Sequence, residues 1–123
     1  MADLKQIQQQ FHTCMPLFIA LGDEVRLSII EALSQAAIRQ FSSFDDTLSI
    51  SDSYPAHGGL NVNEITKNTN LSRPAVSHHL KILKNAGLVS MEKQGTSNYY
   101  YLTISRATRE LMELGNGLQD IIT

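Results

Sequence analysis

The sequence predicts an α+β domain, mostly α, in which a two-stranded β-hairpin follows two short helices and long helices stand at both ends. Three observations predict it. Apolar residues recur at helical spacing near both termini, a capped helix with a glycine stop occupies the middle, and two alternating segments flank a short glycine turn directly after it. At 123 residues the chain fits one domain, 1–123, with a single core.

Residues 1–20 carry Leu4, Ile7, Phe11, Met15 and Phe18 in steps of three and four, so a helix is expected there, kinked or split at Pro16. In "LGDEVRLSIIEAL", Asp23 is a plausible N-cap, with Val25, Leu27, Ile29, Ile30 and Leu33 as the apolar face of a second helix to about Gln40. Residues 41–60 are rich in Ser, Asp, Gly and Pro and read as an inserted loop, either mobile or functional. Its Phe41, Phe44, Leu48, Ile50 and Tyr54 set it apart from a plain linker. One reading gives Phe41, Phe44 and Tyr54 a ligand or partner site, and the other a mobile surface loop.

Residues 61–86 then read as helix, turn, helix. Asn61 or Asn63 caps the first, with Val62 and Ile65 inward. Ser72 caps the second, Pro74 sits in its first turn, Val76, Leu80 and Leu83 form its buried stripe, and Gly87 stops it. Residues 88–103 make the hairpin, with "LVSMEK" and "NYYYLTI" as strands across "QGTS" and Gly95 at the turn. Tyr100 should face opposite to Tyr99 and Tyr101, and packing is the expected use of all three. Ser105 is expected to cap a last helix over 105–123, with Ala107, Leu111, Leu114, Leu118 and Ile121 on one side. Gly115 and Gly117 each weaken it by roughly 1 kcal/mol relative to alanine. They either admit a close partner helix or mark a break. The order is that of a winged helix-turn-helix, the hairpin being the wing.

Ten basic and twelve acidic side chains give a net charge of −2, which conceals an asymmetry. Between Ile65 and Arg109 seven bases meet one acid, Glu92, a local +6 that leaves −8 on the rest. Local charge sets the field that a phosphate backbone meets. A recognition helix presents its first residues to base edges, which selects Arg73, Ala75, Ser77 and His78. Arg73 can donate twice to guanine. Lys81 and Lys84, with Lys93, Gln94, Thr96 and Asn98 on the wing, suit phosphates.

"LSRPAVSHHLKILKNAGLV" followed by "NYYYLT", together with "ALGDEVRLSIIEAL", resembles the ArsR/SmtB family of bacterial winged-helix repressors over about half the chain. The resemblance implies double-stranded operator DNA as partner, a homodimer held by the terminal helices, and repression relieved by an inducer. It places the DNA-contacting helix on Ser72, Arg73, Pro74, Ala75, Ser77 and His78, with His79 a packing or phosphate residue. The positions of that family's metal-binding Cys-x-Cys pair fall on Asn61 and Asn63, whose amides are poor ligands for soft metals. The last helix has no histidine for the family's other metal site. No metal and no cofactor are therefore expected, and the signal is an unidentified small-molecule effector or none.

Other readings are weaker. His12, Cys14 and His57 could form a metal or redox site, but a lone cysteine allows a disulfide only across a dimer. No phosphate loop, nucleophile elbow or H-E-x-x-H spacing supports an enzyme. The longest apolar stretch, "MPLFIALG", falls short of the ~20 residues of a membrane span, and no secretory signal precedes it, so a cytoplasmic location is expected. The alternative function is a winged-helix protein-interaction module that does not bind DNA.

Overall fold

The computed structural model describes residues 3–42 and 58–122. Five helices and three strands follow one another: α1 (Leu4–Leu21), α2 (Glu24–Ser42), β1 (Leu60–Asn61), α3 (Val62–Thr69), α4 (Arg73–Asn85), β2 (Val89–Gln94), β3 (Ser97–Leu102) and α5 (Ser105–Ile122). The strands form one antiparallel sheet in the order β1-β3-β2. The expected two-stranded wing is thus β2 and β3, and β1 adds a strand at its base. Residues 60 and 61, expected in loop and cap, pair with Tyr100 and Tyr99. Gly59 precedes them because a Cβ there would lie 2.7 Å from the Tyr100 carbonyl oxygen. Of the aromatic and aliphatic residues expected to shape the insert, Phe44, Leu48, Ile50 and Tyr54 lie outside the described residues, while Phe41 falls in the last turn of α2.

Pro16 does not split α1, which runs unbroken through it. Proline removes one N–H and leaves the carbonyl four residues back without its helical partner. Here that is His12, and both residues are exposed, so water reaches the freed group. The inward stripe of α1 is also not the expected one. Ile7, Cys14, Leu17 and Ala20 are buried, whereas Leu4, Phe11, Met15 and Phe18 remain 43–67% exposed. On α2, Ile29 and Leu33 enter the core as expected, but Leu27 stays outside.

The core gathers Cys14, Leu17 and Ala20 of α1 with Ile29 and Leu33 of α2, Ile65 of α3, and Val76, Leu80 and Leu83 of α4. Val89, Ala107 and Leu114 close it from the wing and α5. Helices α1 and α5 run antiparallel, with Cys14 Sγ 3.4 Å from the Glu110 carbonyl and Ile7 and Gln10 against Gly117. Both glycines of α5 are helical, so neither marks a break. Gly117 admits α1 of the same chain: a Cβ there would lie 2.9 Å from Gln10 Oε1, an oxygen buried without a hydrogen-bond partner among the described residues. Helix α5 starts at Ser105 itself, so Ile104, and not Ser105, occupies the cap position.

Candidate nucleic-acid interface

The recognition helix is fixed at both ends by local chemistry. Ser72 caps α4 by accepting from the Ala75 N–H at 3.3 Å, and Pro74 sits where its missing N–H has no helical partner to lose. At the far end Gly87 takes φ +79°; its N–H reaches the Lys84 carbonyl and that of Leu88 reaches Leu83, both at 3.0 Å. This is a Schellman closure, and it turns the chain straight into the wing. Helix α3 is capped by Asn61, not Asn63, in a capping box: Glu64 N–H donates to Asn61 Oδ1 at 2.9 Å and Asn61 N–H to Glu64 Oε1 at 3.0 Å. Asn70, left-handed at φ 59°, ends α3 and opens the turn into α4.

With Val76, Leu80 and Leu83 buried, the opposite side of α4 lies open. Ser72, Arg73, Pro74, Ser77, His78, Lys81 and Lys84 are all exposed, and the first turn holds no acid. Ala75 is half-buried. On the wing, Lys93 pairs across the ladder with Asn98 and Gln94 with Ser97, so a two-residue turn of Gly95 and Thr96 joins the strands. Gly95 takes φ +62° at its first position, as a II′ turn requires. Lys93, Thr96 and Asn98 are exposed and Gln94 is half-buried.

His79 stands apart. It is half-buried, and its Nδ1 lies 3.2 Å from Arg26 Nη1. A guanidinium only donates, so Nδ1 is the acceptor. The same Arg26 donates through Nε to the Ala20 carbonyl at 2.7 Å and through Nη2 to that of Ile19 at 3.2 Å. His79 is therefore a packing residue, and Arg26, absent from the residues singled out in the sequence, is its anchor. Its only sequence signal was its place three residues after the Asp23 cap. Asn63 was also missed in its actual use: its Oδ1 accepts from Arg73 Nη1 at 2.7 Å.

Of the rival site near the N-terminus, the described residues are Cys14 and His12. Cys14 is fully buried; desolvation, then the nearby Glu110 and Glu113 carboxylates, push its thiol above its ordinary pKa. A protonated thiol is a poor ligand and nucleophile. His12 is exposed two residues away, and His57 lies outside the described residues. Among the described residues no three His, Cys, Asp or Glu side chains sit together as a metal site.

Comparison with known proteins points the same way. Residues 56–91 match the family described as bacterial regulatory protein, arsR family. An uncharacterized HTH-type transcriptional regulator of Methanocaldococcus jannaschii is 29% identical over 106 residues, 86% of this chain and 94% of that protein. The transcriptional repressor SdpR of Bacillus subtilis is 40% identical over 45 residues, 37% of this chain and 50% of its own length. Among solved structures, the crystal structure of an ArsR family transcriptional regulator superposes with a TM-score of 0.62 at 18% identity, covering 98% of this chain and 95% of the other.

An exposed helix with no acid in its first turn, closed onto a β-hairpin, is the architecture of a winged helix-turn-helix, the class of DNA-binding transcriptional regulators that these proteins represent. The likeness to the arsR family of bacterial regulatory proteins lies in residues 56–91, and the solved structure shares the fold along nearly the whole chain.

Proposed function

We propose that the protein is a dimeric repressor that reads operator DNA in the major groove through α4. The observation that carries this reading is the exposed stripe of Arg73, Ser77, Lys81 and Lys84 at helical spacing, roughly a quarter-turn around the helix from the buried Val76, Leu80 and Leu83. Arg73 offers paired donors to guanine O6 and N7, Ser77 and His78 reach neighbouring base edges, and Ser72, Pro74 and Ala75 bring the first turn close to the groove floor. Lys81 and Lys84 lie further along the helix, where phosphates pass, and Lys93, Gln94, Thr96 and Asn98 meet the adjacent backbone from the wing. His79 contributes by holding α4 in place.

The dimer rests on α1 and α5. Phe11, Met15 and Phe18 on α1 and Met112 and Ile122 on α5 are 43–78% exposed although large and apolar, and exposed apolar patches mark interaction sites. A second copy would cover them and set the two recognition helices one helical turn of DNA apart, ~34 Å. Repression accords with the role of the transcriptional repressor SdpR, whose similarity falls on a segment of this chain only. The signal is a non-metal one or none: the Asn61 amide is used in the capping box and the Asn63 amide on Arg73, and neither offers a thiolate. Operator binding places the work in the cytoplasm, and no helix among the described residues is long and apolar enough to cross a membrane.

Fluorescence anisotropy with duplex from upstream of the protein's own gene, beside a scrambled duplex, tests this reading. Tighter binding to the first, degraded by Arg73→Ala, is the expected result. No binding to either duplex at low salt would replace it with a protein-docking role.

A further inference from the structure

The amide of Asn63 stands on α3, outside the helix that enters the groove, yet it holds the principal base-reading side chain. We propose that Asn63 is a positioning residue for sequence recognition: it pre-orients the Arg73 guanidinium for the guanine it reads. The inference rests on Arg73 being the base reader.

The geometry is specific. Asn63 Oδ1 accepts from Arg73 Nη1 at 2.7 Å, ten residues apart and across the turn of the helix-turn-helix. Both side chains are exposed, and among the described residues this bond is what holds Arg73, the first turn of α4 having no acid to pair with it. A guanidinium has five N–H donors, and the amide oxygen takes one. Four remain, enough for the paired donation to guanine O6 and N7. An arginine free in solution loses rotamer freedom when it grips a base, whereas one already tethered loses less. An amide is also the right tether. It is neutral, so it does not compete with the base as a carboxylate would, and it adds no charge against the phosphates.

The backbone of Asn63 is independently occupied, its carbonyl accepting from Thr66 Oγ1 at 2.6 Å. Removing the amide therefore leaves α3 with its capping box on Asn61 and Glu64 intact. The position matters for a second reason. In the family resemblance it corresponds to a metal-ligand position, and here its side chain points to the reading head instead.

The experiment uses the full chain. A randomised duplex library is selected by the unaltered protein, the preferred duplex is identified, and each guanine in it is replaced in turn. Binding is then measured for the unaltered protein, Asn63→Ala, Arg73→Ala and the double variant, with a thermal melt of each. The proposal predicts that Arg73→Ala erases the preference for one guanine per half-site. Asn63→Ala should weaken that same preference about two- to tenfold while leaving the scrambled duplex and the melting midpoint unchanged. In the Arg73→Ala background the second substitution should add nothing. Loss of the guanine preference in Arg73→Ala with none in Asn63→Ala overturns the role of Asn63 and leaves the reader in place. An unchanged preference in Arg73→Ala overturns the reading itself and the tether with it. Equal weakening of all duplexes by Asn63→Ala would make the residue merely structural and overturns the proposal too.

Discussion

Arg26 joins His79 by a 3.2 Å contact from Nη1 to Nδ1, and through it the end of α1 is tied to the middle of the recognition helix. The guanidinium takes up the Ile19 and Ala20 carbonyls, which α1 leaves unpaired at its C-terminus. The His79 ring in turn meets the exposed His78 ring edge-on, 5.5 Å between centroids. A shift of α1 relative to α2 would therefore be felt on the exposed face of α4.

The Arg26 side chain is only 12% exposed, so its donors cannot be replaced by water without rearrangement. Arg26→Met keeps the stem and removes every donor. It is expected to lower stability by about 2–3 kcal/mol, and His79→Ala by about 1 kcal/mol. Urea unfolding measures both. Equal midpoints for Arg26→Met and the unaltered chain would remove the anchor from the account.

Asp23 carries a pH dependence. Its carboxylate accepts the Arg26 N–H at 3.1 Å, and that bond, assisted by the Arg26 guanidinium 3.8 Å away, holds its pKa below the ordinary carboxylate value. The folded value lies below the unfolded one, so the stabilisation is complete above the ordinary range and is lost as pH falls through the lowered value. Asp23→Asn retains an acceptor but does not titrate. Melts from about pH 6 to about pH 3 should show a smaller acid loss in the variant than in the unaltered chain.

Gly87 makes the turn from recognition helix to wing at φ +79°, with nothing within 4 Å of the place a Cβ would take. The penalty of a side chain there is one of backbone conformation alone. Gly87→Ala should cost about 1–2 kcal/mol, read by calorimetry, with no change in the buried side chains. A neutral substitution would mean that the left-handed closure contributes little.

The dimer is tested on α1. Met15 is 46% exposed and Phe18 45%, so Met15→Glu and Phe18→Glu leave the chain's own core untouched. Sedimentation should find the variants monomeric and folded. Operator affinity should drop about a hundredfold or more, because linked half-sites bind with effective-concentration gains of that order. A folded monomer with full affinity would contradict the dimer.

How much of this was legible in the sequence depended on how local its cause is. Ser72, Gly87 and the Val76, Leu80 and Leu83 stripe act within one helix, and caps and periodicity expose such rules directly. Strand β1 is two residues long and exists only because Tyr99 and Tyr100, some forty positions later, pair with it. Helix α1 has two apolar stripes, and periodicity cannot say which one enters its own core: of the expected Leu4, Ile7, Phe11, Met15 and Phe18 the fold buried Ile7 alone, and it added Leu17 and Ala20 beside Cys14. The contacts from Arg26 to His79 and from Asn63 to Arg73 cross between helices, beyond the reach of any local pattern.

The most direct test of the central claim is the salt dependence of duplex binding by the unaltered protein, Lys84→Ala and Arg73→Ala. If the α4 stripe meets DNA, log K falls steeply with log salt, and Lys84→Ala reduces the slope by about 2 for a dimer, one phosphate contact per protomer, weakening specific and scrambled duplexes alike. Arg73→Ala should instead narrow the gap between the two duplexes. A slope that Lys84→Ala leaves unchanged, with specific binding intact in Arg73→Ala, would contradict the assignment of α4 as the reading helix.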